Sequence, residues 1–344
     1  MRTAVIGIGS LGTIIGALIT KNGGQVDLVD SYQPTIDALR AKGATVTGTM
    51  ELNVPVSALH TAEMEGVYDL FLLTTKQTAL HTVMPQLMEH MDENSLVLTL
   101  QNGIPEELVS SYVGKERTAG GAVGWGATWL EPGVSRLTST MKVMENFAFE
   151  IGEIDGSDTP RIREAQKILN LVGHTEVLDN LMGIRWAKVL MNATFSGMSA
   201  AMADTFGAVL NDETTLRCIA HIADETVRVA NTCGVRLAIM QGTDFEELKL
   251  DSPADIPSKF PIYHRVWDQH AALKASMLQD LEKDRPTEID FINGIVCRKG
   301  DEMGIDTPYN DKVVELVKRE EQTGVLHTMK NKEEFLPLLA ADDQ

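Results

Sequence analysis

Residues 1–19 read MRTAVIGIGSLGTIIGALI. An apolar run from Thr3 gives way to Gly7, Gly9 and Gly12, and an apolar helical pattern follows at once. Strand, glycine turn and helix in that order are what a phosphate-binding G-x-G-x-x-G loop needs. Gly7 permits the tight turn, Gly9 lets backbone approach a pyrophosphate, and Gly12 lets helix and strand pack closely while the helix N-terminus faces the anion. A plain strand-to-helix turn would carry the same glycines, so the neighbouring sequence decides. The next β-like run, QVDLVD, ends at Asp30, close to the roughly 20-residue spacing of a carboxylate that accepts ribose hydroxyls. The stretch therefore predicts a dinucleotide site formed by Gly7, Gly9, Ser10, Leu11, Gly12 and Asp30. Because a carboxylate repels a 2'-phosphate and the following SYQPTID supplies no Arg or Lys, NAD is favoured over NADP.

Working outward, β-like runs and helical stretches alternate to about residue 175: TAVIG, LGTIIGALITK, QVDLVD, YDLFLLTTK and SLVLTLQNG. Such alternation predicts parallel βαβ units. From Leu181 the character changes, since IRWAKVLMNATFSGMSAAM and LRCIAHIADETVRVANTCG carry apolar residues at helical spacing. The expected fold is α/β, with an N-terminal Rossmann dinucleotide-binding domain over 1–178 and an all-helical C-terminal domain over 179–344. The boundary falls in GHTEVLDNL, and KNKEEFLPLLAADDQ reads as a short docked helix with a frayed acidic end.

Composition narrows the function classes. At 344 residues, two domains are the first expectation. Hydrophobic residues at 43% against 23% charged ones are enough for a sizeable core. A formal charge of -19 with no basic patch argues against a nucleic-acid partner. Cys218, Cys233 and Cys297 form neither a disulfide framework nor a zinc cluster, which fits a reducing compartment and no metal. The N-terminus lacks the layout of a secretory signal, and no run is long enough to span a membrane, so a cytoplasmic protein is expected.

In IRWAKVLMNATFSGMSAAM, Lys188, Asn192 and Ser196 lie at i, i+4 and i+8 and so form one polar stripe at about 100° per residue. An ammonium there can protonate a developing alkoxide, and the amide and hydroxyl can orient a substrate. The alternative is a lysine that snorkels to water. Farther on, KASMLQDLEKDRPTEIDFINGIVCRKG reads as two helices broken at Arg285 and Pro286, with Thr287 as N-cap and Glu288 in the first turn. Glu288 in that place is also ordinary macrodipole pairing, and Ser276 is a common helix residue.

These segments together carry a resemblance. GIGSLG, TTKQT with Lys76, LQNGIP with Asn102, WAKVLMN with Lys188 and Asn192, and SMLQDLEKDRPTEIDFINGIV with Ser276 and Glu288 make the chain similar to the ketopantoate reductases (2-dehydropantoate 2-reductases) along nearly its whole length. The resemblance implies a Rossmann domain joined to a helical domain, an active site in the cleft, and NADPH-dependent reduction of 2-dehydropantoate to pantoate. It implies Lys188 as general acid and Asn192 and Ser276 as substrate-binding groups, and Ser196 joins them as a substrate-binding candidate from its place on the stripe. Glu288 becomes an active-site carboxylate near the nicotinamide, and Lys76 and Asn102 become cofactor-side residues. Two positions depart from the family pattern: Ser196–Gly197 stands where an asparagine and a proline are usual, and Asp30–Ser31 replaces the usual basic residue. The second points to NAD, although NADP is the family norm. Alternatives are an NAD-dependent dehydrogenase of another 2-hydroxy acid and a non-catalytic nucleotide sensor; Trp125 and Trp129 read either as pocket or as core. A small-molecule 2-oxo acid is the expected partner, and a homodimer is compatible with this reading.

Overall fold

A computed structural model describes all of the chain except residues 241, 327, 343 and 344. It falls into two compact units, Met1–Leu181 and Met182–Gln344. No helix among the described residues is long and apolar enough to cross a membrane.

The first unit is built on an eight-stranded sheet: β1 (Thr3–Ile6), β2 (Val26–Asp30), β5 (Ser57–His60), β6 (Leu70–Leu73), β7 (Leu96–Thr99), β8 (Thr118–Val123), β11 (Phe149–Glu153) and β12 (Thr175–Val177). Their order is β12-β11-β8-β7-β6-β1-β2-β5. All pairs are parallel except β8 with β11, which run antiparallel in register Phe149↔Val123. The chain runs outward from β1 through β2 to β5, then returns to β6 on the other side of β1. Open sheets of this kind take their ligands beyond the carboxyl ends of the strands at such a reversal, here the ends of β1 and β6. The inner strands read TAVI, LFLL and LVLT and are buried at every residue, as strands covered on both faces must be.

A second, four-stranded sheet was not legible as a separate layer: β3 (Ala44–Gly48), β4 (Leu52–Val54), β9 (Ala127–Glu131) and β10 (Val134–Leu137), in the order β4-β3-β10-β9. It packs on the Ser10–Lys21 helix, whose other side rests on β1 and β2. Residues Gly12 to Ile19 are consequently buried without a break, which explains why this helix is apolar all round. Trp125 is 5% exposed and meets Phe149 edge-on at 6.0 Å, so it belongs to the core; Trp129, on β9, is half-buried.

The second unit is helical and centres on Glu213–Thr232, which packs against Ile256–Trp267, Asn293–Met303 and Pro308–Thr323. Two sequence expectations need correction here. The helix containing Lys188 is interrupted: α-helix Leu181–Met191 passes into a π-helical turn Asn192–Ser196 before α-helix resumes over Gly197–Ala201. The second helix of the KASMLQ segment begins at Asn293 and not after Thr287. A short 3-10 turn, Ile289–Phe291, intervenes, so Glu288 lies outside the α-helix and its macrodipole reading fails. Thr287 is not the N-cap either: its Oγ1 accepts from Ile289 N–H at 3.2 Å, but the residue at the N-cap of the 3-10 turn is Glu288, whose side chain makes no capping bond. The chain is held there because Thr287 N–H and its hydroxyl both donate to Glu321 Oε1, at 2.7 and 2.6 Å. The C-terminal stretch forms a 3-10 helix Met329–Phe335 and a helix Leu336–Asp342; of the expected acidic end, residues 343 and 344 lie outside the described residues.

Candidate functional site

In the first unit the glycine loop leaves β1 at the reversal point. Gly7 has φ +93°, a left-handed value that favours glycine, and a Cβ there would sit 2.5 Å from the Thr75 methyl. A Cβ on Gly12 would stand 2.2 Å from Gly7 O, so only glycine lets the helix start this close to the loop. Gly9 differs from both, because a Cβ added there meets nothing within 4 Å. It is exposed, with Ser10 and Leu11 half-buried beside it. The Ser10–Lys21 helix has no side-chain cap and no acidic residue in its first turn. Its unpaired N–H groups and the positive end of its dipole therefore face open space at Gly9, an arrangement that fits a dinucleotide pyrophosphate.

Asp30 ends β2, and its carboxylate spans two turns: Oδ2 accepts from Ile8 N–H at 2.5 Å and Oδ1 from Tyr32 N–H at 2.8 Å. It thus ties the glycine loop to the loop after β2 while staying half-exposed. Thr74, after β6, donates to Gly7 O at 2.7 Å and to Ile6 O at 3.0 Å. The loops after β6 and β7 are stitched in turn. Gln77 Nε2 donates to Asn102 O at 2.5 Å, and Gln101 Nε2 donates to Thr75 O at 2.9 Å. Lys76 and Asn102, both half-buried, are therefore brought to the same sheet edge as the glycine loop. Thr74, Gln77 and Gln101 were missed by sequence reading; they flank Lys76 and Asn102, but nothing in their own identity marks them.

In the second unit Lys188, Asn192 and Ser196 are each half-buried, while Val189, Leu190 and Ala193 to Phe195 between them are buried. A regular α-helix would carry such a series around its surface by about 40° per step of four residues. The wider π turn rotates less per residue and takes back part of that drift, which straightens the stripe. Behind it Phe195 stacks on Trp267 at 4.1 Å and 19° and touches Tyr263 and Phe206. The Ser276–Leu281 helix packs on the π turn and on Gly197–Ala201, with Ser276 exposed at its first position. Glu288 is 9% exposed.

His270 was not anticipated, being a lone histidine between helices. It follows Trp267 in a 3-10 turn. Burial first, and then the positive charge of Lys188, lower its pKa from the ordinary 6.5. The stripe therefore has a neighbour that can take or give a proton. Among the described residues no group of His, Cys, Asp and Glu is arranged to hold a metal ion.

Comparison with known proteins adds an independent line. Residues 3–154 match the family model "Ketopantoate reductase PanE/ApbA", and residues 180–321 match "Ketopantoate reductase PanE/ApbA C terminal". The 2-dehydropantoate 2-reductase of Streptococcus pyogenes serotype M3 is 28% identical over 324 residues, covering 93% of this chain and 98% of that one. The enzyme of the same name from Pyrococcus horikoshii is 27% identical, covering 94% and 99%. Among solved structures, 2-dehydropantoate 2-reductase from Geobacter metallireducens superposes with TM-score 0.77 at 26% identity, covering 93% and 99% of the two chains. A complex of D-mandelate dehydrogenase with NADH superposes with TM-score 0.78 at 25% identity, covering 94% and 100%.

Proposed function

The chain belongs to the ketopantoate reductase family, and from that premise we propose that it reduces a 2-oxo acid, 2-dehydropantoate first among candidates, to the 2-hydroxy acid with a nicotinamide cofactor. The observation that carries the reading is the stripe of Lys188, Asn192 and Ser196, three half-open polar side chains on a segment whose other residues, Met191 apart, are buried. A structural helix has no need of an ammonium there.

The first unit holds the dinucleotide, with the pyrophosphate on the N–H groups at Gly9, Ser10, Leu11 and Gly12, the loop turned by Gly7 whose own N–H donates to Val29 O, the ribose on Asp30, and Lys76 and Asn102 on the nicotinamide side. Bound there, the nicotinamide supplies the hydride that reaches the keto carbon. Lys188 gives its Nζ proton to the carbonyl oxygen as negative charge grows on it, and before that its charge polarises the carbonyl. Asn192, Ser196 and Ser276 donate hydrogen bonds that hold the substrate carboxylate and fix which face of the carbonyl is presented. Glu288 orients the reacting groups from its nearly buried position. NAD is preferred to NADP, because the Asp30 charge stands where a 2'-phosphate would come.

A screen of 2-oxo acids with NADH and with NADPH, following loss of reduced-cofactor absorbance, tests the proposal. Turnover of 2-dehydropantoate is the expected result. Turnover only of another 2-oxo acid would assign the chain to the NAD-linked dehydrogenase alternative, and no turnover of any would remove the catalytic reading.

A further inference from the structure

The π turn leaves one carbonyl without its helical donor. In an α-helix Gly197 N–H would bond to Ala193 O, four residues back; here it reaches to Asn192 O, five back. Ala193 is fully buried, so its oxygen must be paired by something else or pay the cost of desolvation. The partner is Asn293, whose Nδ2 donates to Ala193 O at 3.0 Å. The neighbouring carbonyls of Leu190 and Met191 accept from the Thr194 hydroxyl at 2.7 and 3.1 Å.

Asn293 is itself oriented by a buried chain of polar groups. Its second Nδ2 hydrogen goes to Asn310 Oδ1 at 3.0 Å, so its carboxamide can face only one way. Asn310 is turned in the matching sense by Glu225, whose Oε2 accepts from Asn310 Nδ2 at 2.7 Å and from Asn310 N–H at 2.9 Å. Glu225 Oε1 accepts from Tyr309 N–H at 2.9 Å. Asn293 and Asn310 are fully buried, and Glu225 is nearly so. A second observation concerns shape: a Cβ on Gly197 would lie 2.5 Å from Asn293 Oδ1. Glycine at this position is what admits the carboxamide.

We propose that Asn293 is the positioning residue of the polar stripe, its carboxamide selecting the π register that keeps Ser196 in line with Lys188 and Asn192. Without the Asn293 donor the α register gains, since Gly197 N–H can then satisfy Ala193 O, and Ser196 rotates off the line. Glu225 and Asn310 act through Asn293 and do not touch substrate. This inference rests on the reductase reading for its kinetic consequence but not for its structural one.

The test uses the full chain with Asn293→Ala and, separately, Gly197→Ala, which crowds the carboxamide without removing a donor. With 2-dehydropantoate and NADH, kcat is expected to fall about 10- to 100-fold in both, while KM for NADH stays within about twofold. Amide hydrogen exchange in peptides spanning residues 190–200 should differ from wild type in both variants as the hydrogen-bond register shifts, with a native circular dichroism spectrum. A purely structural role predicts a lower Tm with unchanged kcat per folded molecule, and that result overturns the proposal. If Asn293→Ala does not fold, Gly197→Ala decides alone. If the wild type does not turn over 2-dehydropantoate, the function assigned above fails and exchange decides this one: an altered pattern of protection over 190–200 in the variants supports it, and an unchanged pattern sinks it.

Discussion

The glycine loop and the polar stripe solve the same problem, presenting polar groups on an apolar scaffold, by opposite means. Around Gly7 to Gly12 the groups are backbone N–H donors, and what places them is the absence of side chains: Gly7 for its φ of +93°, Gly12 for its approach to Gly7 O. Around Lys188 to Ser196 the groups are side chains, and they are placed by a local departure from α-helix whose freed carbonyl is paired by Asn293. A backbone site can be specified by its own few residues. A side-chain site on an interrupted helix needs support from elsewhere in the unit, and mutations far away in sequence can reach it.

The sharpest way to break this comparison is at the stripe. Lys188→Ala should lower kcat by about 10²- to 10⁴-fold while NADH affinity, which the proposal assigns to the other unit, is retained; stopped-flow turnover and calorimetric titration together check both halves. Next come the glycines, which should divide by role. Gly12→Ala forces a methyl onto a backbone oxygen and should cost about 3 kcal/mol in urea denaturation, whereas Gly9→Ala should leave stability unchanged and weaken NADH binding at least about tenfold by occupying the space that a phosphate needs. Equal Tm losses in the two variants would contradict the open space at Gly9.

Cofactor choice gives a smaller effect. Asp30→Ala with Ser31→Arg removes the repulsion and adds a phosphate partner, so the ratio of kcat/KM for NADH over NADPH should drop by about 10-fold or more. A wild type that already prefers NADPH would mean that the Asp30 carboxylate serves only Ile8 and Tyr32. A further test concerns pH. Burial pushes the Glu225 carboxyl from 4.5 up to about 7, against the hydrogen bonds from Tyr309 and Asn310 and with the Asp311 charge adding to the rise. A raised carboxyl favours its protonated form in the fold, so its contribution to stability is full below pH 4.5 and is lost as pH climbs to about 7. Denaturation midpoints across that window should fall with pH in the wild type, and Glu225→Gln should flatten the slope.

What the sequence determined by itself is the first unit's frame. The runs TAVI, VDLVD, LFLL and LVLT, the three glycines and the Asp30 that follows them are local demands of backbone and burial, and they appear where expected. The spacing of Lys188, Asn192 and Ser196 was legible too, though the regular helix assumed for it was not what forms. Tertiary structure alone decided the π turn, because the donor for Ala193 O comes from Asn293, 100 residues along the chain. It decided the four-stranded sheet as well, since β3 finds its partner in β10, some 90 residues on, and neither strand carries a sign of the other. Local pattern reports what a segment can bury, whereas the pairing of a buried polar atom is settled only when distant segments meet.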